Sequence, residues 1–285
     1  MSVEVNVAST EFLGSPFTFL DCPGSVEFSQ ESADALMGAD VAVVVCEAEP
    51  DKAAPLLPIF KMLDDLQLPR FVFVNKIDRA TGSVRDLLAA LQQVSSLPFV
   101  LRQVPIREGE TITGYVDLAS ERAYVYKPGE SSERIDLPAD MTDRKAEARY
   151  EMLEKLADFD DKLMEELLED IEPPQDEVFG QLSKDLAGGH VAPVMLGAAE
   201  HVNGVHRLLK ALRHEVPASA TAAKRRDLDE EGETVAQVFK TYHTARGGKL
   251  SVARVWRGSL KDGANLNGER VSGLFRLLGM QTEKL

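Results

Sequence analysis

The sequence predicts an α/β fold with a parallel sheet, interrupted by an α+β insert and followed by part of a β-barrel domain. Three observations support this prediction. Apolar runs without polar alternation occur at 41–45, 71–74 and 192–196, separated by helical segments, which is typical of parallel strands buried on both faces. Residues 101–189 depart from this pattern, and beyond residue 234 the pattern is purely β.

The elements of the sheet follow one another along the first hundred residues. Two short β-like runs within 2–20 meet at Gly14-Ser15-Pro16, where a turn is expected, and so predict a hairpin. The other predicted elements are helices at 27–37, 53–66 and 84–94, with strands at 41–45 and 71–74 between them.

The region 101–189 combines β-like pieces with a strongly helical block. Apolar residues of 150–171 fall at helical spacings, which predicts one helix over about 150–172. After it we expect a further helix, the strand 192–196 and a helix at 205–214. The predicted domains are 1–100 and 190–217 for the α/β core, 101–189 for the insert, 218–234 for a polar linker, and 235–285 for the start of a β-barrel with a Gly247-Gly248 turn.

Composition and charge exclude several classes of protein. With 44% hydrophobic and 28% charged residues the chain has the composition of a globular protein. Its net charge of −15 argues against blanket phosphate neutralisation, so direct RNA binding is expected to be weak. Cys22 and Cys46 form no disulfide framework or zinc spacing. No export signal or apolar run of membrane-spanning length occurs, and we expect a cytoplasmic protein.

Two short motifs are predicted at the carboxyl ends of buried strands, where open α/β sheets bind ligands. Asp21-Cys22-Pro23-Gly24 follows FTFL, and Asn75-Lys76-Ile77-Asp78 follows FVFV. Either motif alone is weak evidence, because an Asp after a strand is also a common turn cap. Their order, each ending its own strand, favours a nucleotide site.

The second motif suits recognition of guanine. The Asp78 carboxylate can accept hydrogen bonds from the N1 and N2 donors of guanine, a pattern that adenine does not offer. The Lys76 stem can cover the base, and Asn75 can brace neighbouring loops. Gly197-Ala198-Ala199 follows the third apolar run, and a backbone NH of this tripeptide can reach guanine O6.

The first motif suits the phosphate end of a nucleotide. Asp21 would reach Mg²⁺ through a water, since Mg²⁺ keeps part of its hydration shell. The Gly24 backbone NH would meet the γ-phosphate because no side chain blocks the approach.

The order DCPG, NKID-Arg79, a long insert, GAA and a β segment beginning AQVFKTYHTARGG resembles elongation factor G and close relatives among the translational GTPases. The resemblance covers essentially the whole chain, whereas relatives without the insert, such as elongation factor Tu, fit less well. It implies a P-loop-type GTPase domain using GTP/GDP and Mg²⁺, coupling of GTP hydrolysis to a ribosomal step such as translocation, and a β-barrel second domain.

Two departures from the family pattern change what we expect of this chain. Ser25 stands where the family has the His that positions the attacking water, and serine is too short for that role. No GxxxxGK[ST] loop occurs, so the α- and β-phosphates lack their cradle. We therefore expect an inactive chain with no bound nucleotide, most economically a fragment truncated at both ends. The alternative is a non-hydrolysing regulatory or scaffold paralogue that binds a ribosomal protein.

Charged residues outside the motifs have two interpretations. Residues 151–172 hold ten Asp/Glu and two Lys. This acidic face is either a solvated helix surface or a docking surface for the ribosomal stalk protein, which the resemblance implies as a partner of the insert. Arg79 is either part of the motif or a solvated side chain, and the five histidines are expected at the surface.

Overall fold

The computed structural model describes residues 2–80, 82–229, 231–243, 248–278 and 281–284. Gly247, and with it the first half of the predicted Gly247-Gly248 turn, lies outside these ranges. The strands are β1 Asn6–Phe12, β2 Ser15–Asp21, β3 Ala42–Glu47, β4 Arg70–Asn75, β5 Phe99–Leu101, β6 Gln103–Glu108, β7 Thr111–Asp117, β8 Arg122–Val125, β9 Glu133–Ile135, β10 Ala192–Leu196, β11 Val235–His243, β12 Lys249–Arg257, β13 Asn265–Leu266, β14 Glu269–Arg270, β15 Phe275–Leu278 and β16 Gln281–Lys284.

The α-helices are α1 Ser29–Leu36, α2 Leu57–Asp65, α3 Val84–Gln92, α4 Thr142–Ala157, α5 Asp161–Leu168, α6 Gln175–Gly188, α7 Val205–Glu215 and α8 Ser219–Lys224. The chain divides into two compact units, one of residues 41–216 and one of residues 1–40 with 217–285. Among the described residues, no helix combines the length and apolar composition needed to cross a membrane.

The unit of residues 41–216 is built on a parallel sheet of order β3-β4-β10-β5. All three strand pairings are parallel, and Val72 in β4 lies opposite both Val44 and Val194. The central strands are buried on both faces, as their unbroken apolar sequence predicts. Each such valine or phenylalanine side chain contributes about 1.5–3 kcal/mol through burial. The predicted α/β class with a parallel sheet is confirmed.

The insert forms an antiparallel sheet of order β6-β7-β8-β9, accompanied by α4, α5 and α6. Its core is a cluster of buried side chains that includes Val116 of β7, Leu156 of α4 and Leu182 of α6. Val100 of β5 and Val191, which precedes β10, belong to the same cluster. The hydrophobic core is therefore continuous between insert and parallel sheet.

Arg102 lies at the junction of the two sheets, between β5 and β6. Its NH donates to the Val194 carbonyl at 3.0 Å, and its carbonyl accepts from the Leu118 NH at 2.9 Å. The guanidinium pairs with Glu215 at the end of α7 at 2.6 Å, and both side chains are buried. Because removing one partner of a buried ion pair leaves an uncompensated charge, we expect loss of either side chain to cost about 3–5 kcal/mol.

The single helix predicted over 150–172 is wrong. The structure has two helices, α4 and α5, separated by a turn at 158–160. Asp160 is the N-cap of α5, and its carboxylate accepts a hydrogen bond from the Leu163 NH at 3.1 Å. An N-cap carboxylate satisfies a helix-end NH that has no partner within the helix, so the acidic residue starts a new helix instead of continuing the old one.

The unit of residues 1–40 and 217–285 begins with the predicted hairpin, in which β1 and β2 pair antiparallel around Leu13 and Gly14. The prediction that the DCPG motif ends a buried strand of the main sheet is wrong. Within the described residues β2 pairs with β1 only, and its side chains are exposed or half-buried. The alternating sequence SPFTFLD fits such a half-exposed strand.

The segment predicted as a linker, 218–234, contains helix α8. Ala222 and Ala223 are buried, because small side chains with high helix propensity can pack closely. The predicted β region is present as three two-stranded hairpins, β11-β12, β13-β14 and β15-β16, among the described residues. The barrel and the domain boundaries stay predictions.

Helix α1, which follows the DCPG motif, is tied to the β hairpin β11-β12 within the same unit. The Lys240 ammonium in β11 bonds to Glu31 of α1, which holds the pKa of that carboxyl below its usual range. Arg254 of β12 forms two hydrogen bonds of 3.0 Å with the Asp40 carboxylate. The Trp256 ring lies beside Arg254, 4.8 Å from its guanidinium carbon.

Candidate functional site

The NKID and GAA loops lie next to each other at the carboxyl edge of the parallel sheet. Leu196 of β10 is paired in register with Val74 of β4, so the residues that follow both strands emerge side by side. After Asn75 the backbone turns through Lys76 in the left-handed region at φ 58°, and residues 77–79 form a 3-10 turn. A second 3-10 turn, Ala199–His201, follows β10.

Hydrogen bonds connect the NKID loop to the GAA loop. The Asn75 side-chain oxygen accepts from the NH groups of Lys76 at 2.9 Å and Ala199 at 2.8 Å. The Ile77 NH donates to the Gly197 carbonyl at 3.0 Å. Asn75 thus braces the neighbouring loop in the way its residue type predicts.

Position 197 requires glycine because the neighbouring backbone and the Phe73 ring leave no room for a β-carbon. A β-carbon at that position would lie 2.4 Å from both the Asn203 carbonyl oxygen and the Phe73 ring, closer than van der Waals contact permits. Ala198 is buried, and it exchanges two backbone hydrogen bonds with Asn203 at 3.0 and 3.1 Å. Since the Ala199 NH already donates to Asn75, a contact with guanine O6 needs this NH to be shared or released.

Asp78 presents a carboxylate that accepts no hydrogen bond within the described part of the chain. Its Oδ2 lies 3.8 Å from both Arg79 Nε and His201 Nε2, and the side chain is 23% exposed. Arg79 is drawn to the second loop by a 2.7 Å bond to Glu200. The carboxylate is therefore accessible, framed by two cationic or titratable side chains, and free to accept new donors.

Lys76 forms an ion pair with Glu47, the last residue of β3. Glu47 lies opposite Asn75 in the β3-β4 register and also bonds to Lys52. Lys52 first and Lys76 second lower the pKa of the Glu47 carboxyl to about 2. The lysine proposed to cover the base is thus held by an acidic residue on the neighbouring strand.

Sequence reasoning missed Glu47, Glu200, His201 and Tyr126. Glu47 had a usable signal, because it ends a strand adjacent to the motif strand. His201 is partly exposed, as predicted for all five histidines, but it also faces Asp78. The Tyr126 NH bonds to Thr113 of β7, the insert strand that packs against residues 77–79, and nothing in sequence spacing indicates this arrangement.

The residues assigned to phosphate and Mg²⁺ lie in the other compact unit. Asp21 is exposed at the end of β2, and nothing would obstruct a β-carbon at Gly24. The Ser25 hydroxyl donates to Glu27 at 2.5 Å. Burial raises the pKa of the Cys22 thiol, which argues against a reactive thiolate. No group of three or more His, Cys, Asp or Glu able to hold a metal is found within the described ranges.

Comparison with known proteins places this geometry in a family. Residues 1–218 match the family described as "Elongation factor Tu GTP binding domain". An elongation factor G-like protein of Synechocystis sp. is 48% identical over 283 residues, covering 99% of this chain and 42% of that protein. Elongation factor G 1 of Borreliella burgdorferi is 28% identical over 92% of this chain and 40% of its own length.

A solved structure shows the same similarity in three dimensions. A crystal structure from Thermus thermophilus superposes with a TM-score of 0.86 at 28% identity, covering 99% of this chain and 42% of that one. The chain thus spans about two fifths of the length of the relatives it matches. With a parallel sheet whose NKID and GAA loops are interlocked at one edge, the chain belongs to the elongation factor Tu GTP-binding domain family and resembles the translational GTPases of elongation factor G type.

Proposed function

We propose that this chain is the guanine-recognition part of an elongation factor G-like GTPase. The observation that carries the proposal is the Asp78 carboxylate, which accepts no hydrogen bond from the described residues and stands between two loops fixed to each other. A fixed, accessible acceptor at the carboxyl edge of a parallel sheet is suited to a ligand with paired donors.

Guanine supplies the matching donors. Its N1-H and N2-H groups would each donate to one oxygen of Asp78, whereas adenine presents an acceptor at N1. The Lys76 stem would cover one face of the base. The Ala199 NH would be shared between the Asn75 side-chain oxygen and guanine O6, so that Asn75 still holds the two loops in register. Gly197 and Ala198 would keep the loop close to β4.

The phosphate end is proposed to be incomplete in this chain. Asp21 would bind Mg²⁺ through a water, and the Gly24 NH would meet the γ-phosphate. Without a GxxxxGK[ST] loop in the sequence, no backbone cradle or lysine serves the α- and β-phosphates. We expect weak GTP and GDP binding, no hydrolysis by this chain alone, and reduced water positioning at Ser25.

The proposed setting is the ribosome in the cytoplasm, where the parent enzyme would couple GTP hydrolysis to a step such as translocation. The insert offers a surface for the ribosomal stalk protein. A groove lies between α4 and α5, and its lining combines apolar side chains with two carboxylates: Tyr150, Met164, Leu167, Leu168, Glu154 and Asp158. Tyr150 is 50% and Leu168 79% exposed, and the two carboxylates in the lining favour a partner with a basic, partly apolar face.

A nucleotide titration tests the guanine site. The chain of residues 1–285 is titrated with GDP, GTP and ADP in the presence of Mg²⁺, and backbone amide shifts are followed by NMR. We expect guanine nucleotides to shift the amides of residues 75–78 and 197–199 with affinity in the millimolar range, and ADP to leave them unchanged. Equal responses to GDP and ADP, or tight GTP binding with turnover, would refute the proposal.

A further inference from the structure

The insert reaches the base-recognition loops through the segment that follows β8. The Gly129 NH donates to the His201 carbonyl at 2.9 Å. The ring of the same His201 lies 3.8 Å from the Asp78 carboxylate. One backbone bond therefore connects a loop of the insert to the residue that faces the proposed guanine acceptor.

Tyr126, in the same segment, carries a buried hydroxyl without a hydrogen-bond partner among the described residues. Its NH donates to the Thr113 carbonyl at 2.8 Å, and its ring packs against Tyr115 with centroids 5.6 Å apart. Packing and backbone thus both fix the ring. A buried hydroxyl left unpaired destabilises the folded state through its lost hydration, so a group of this kind in a native structure needs an explanation.

The surroundings of the hydroxyl indicate its missing partner. Burial raises the pKa of the Tyr126 phenol, and Tyr115 and the charge of Asp78 raise it further. The phenol therefore stays protonated at neutral pH and lies within the field of the Asp78 carboxylate. The turn of residues 77–79, which carries Asp78, packs against β7. Tyr126 is attached to that same strand through Thr113 and Tyr115. Asp78 itself accepts no hydrogen bond from the described residues, so an unused donor and an unused acceptor lie on neighbouring elements.

We propose that Tyr126 is a positioning residue for Asp78, and that its hydroxyl donates to the carboxylate when guanine is bound. The inference rests on the proposed guanine site. An ionised carboxylate offers about four lone-pair positions. Guanine N1-H and N2-H use two of them, which leaves room for a phenol that orients the group. The insert then contributes directly to guanine affinity.

The test compares Tyr126→Phe with a matched control, Tyr124→Phe. The Tyr124 ring also stacks on Tyr115, with centroids 5.2 Å apart, and the control removes the same atom. Both variants and the unaltered 285-residue chain are titrated with GDP and ADP in Mg²⁺. The initial slope of the Ala199 amide shift equals the shift at saturation divided by Kd, so the slopes of several site amides are compared, and a change common to all of them reports affinity. Thermal unfolding measures stability without ligand.

We expect Tyr126→Phe to weaken GDP binding about tenfold, the loss for one hydrogen bond to a charged group, while thermal stability is unchanged or higher because an unpaired polar group is gone. Tyr124→Phe should keep the GDP affinity. Unchanged GDP affinity in Tyr126→Phe, or a loss that only follows reduced stability, would overturn the inference. An unaltered chain that responds equally to GDP and ADP would instead refute the guanine site on which the inference rests.

Discussion

Asp78 and Asn75 could be identified from the sequence because both belong to one short contiguous motif whose residue types suit recognition of a base. Their neighbours could not. His201 lies 3.8 Å from Asp78 on the 3-10 turn after β10, and the insert segment that follows Tyr126 reaches the same turn through the bond from the Gly129 NH to the His201 carbonyl. Contacts of this kind depend on how three strands and two loops pack, which residue spacing does not record.

The pH behaviour of Glu47 tests the ion pairs around Lys76. The pKa of this carboxyl is lowered from 4.5 to about 2, chiefly by Lys52 and then by Lys76. Because the folded value is depressed, the pairs stabilise the folded state above pH 4.5, and this contribution is lost as the pH falls toward 2. A ¹³C NMR titration should therefore find the Glu47 midpoint near 2.

Lysine variants show whether these pairs cause the shift. In Lys52→Met the Glu47 midpoint should rise clearly toward 4.5, and in Lys76→Met it should rise less. Lys61→Met, which removes an exposed lysine of α2, is the control and should leave the midpoint in place. An unmoved midpoint in Lys52→Met would contradict the assigned cause.

At the level of elements, periodicity located most helices and strands but not their breaks. The acidic block 150–172 keeps helical spacing across its turn, so spacing alone could not separate α4 from α5. The residue that marks the end of α4 and the start of α5 is Asp160, because Asp is a favourable N-cap. It could not be distinguished by sequence from the neighbouring acidic residues, which are ordinary on a solvated helix face. The helix α8 was not predicted, because a small and polar composition is as typical of a linker as of a short helix.

The groove between α4 and α5 makes a prediction about the proposed stalk contact. Leu168→Asn replaces an apolar side chain that is 79% exposed without changing charge, so we expect it to weaken binding of purified ribosomal stalk protein about tenfold by removing buried apolar contact. Val26→Asn, at a residue 77% exposed in the other compact unit, should bind normally. Equal binding by both variants, measured by isothermal titration calorimetry, would exclude the groove as the contact.

For the molecule as a whole, composition indicated a core, an insert and a β segment, yet it could not show how the insert is joined. The buried cluster that includes Val100, Val116 and Val191 runs through both insert and parallel sheet, and the Arg102–Glu215 pair is buried at their junction. The sequence also could not show which sheet contains β2, the strand that precedes the DCPG motif. A β run before a motif indicates a strand, but not which strand it pairs with.

The central claim is that Asp78 selects guanine, and a base-swap experiment tests it most directly. Asp78→Asn replaces one acceptor oxygen by an NH₂ donor, which matches the O2 carbonyl of xanthine better than the N2 amino group of guanine. The preferred ligand should therefore change from GDP to xanthosine diphosphate (XDP). The difference in binding free energy between the two nucleotides should shift by about 1–3 kcal/mol, the value for a bidentate contact.

The control is Asp86→Asn, at an exposed residue in the first turn of α3, which should keep the GDP preference. All three proteins are titrated with GDP and XDP under the same conditions, with the Ala199 amide shift as the readout. A preference for XDP in Asp78→Asn alone is the result that the guanine site predicts. Retention of the GDP preference in Asp78→Asn would contradict it.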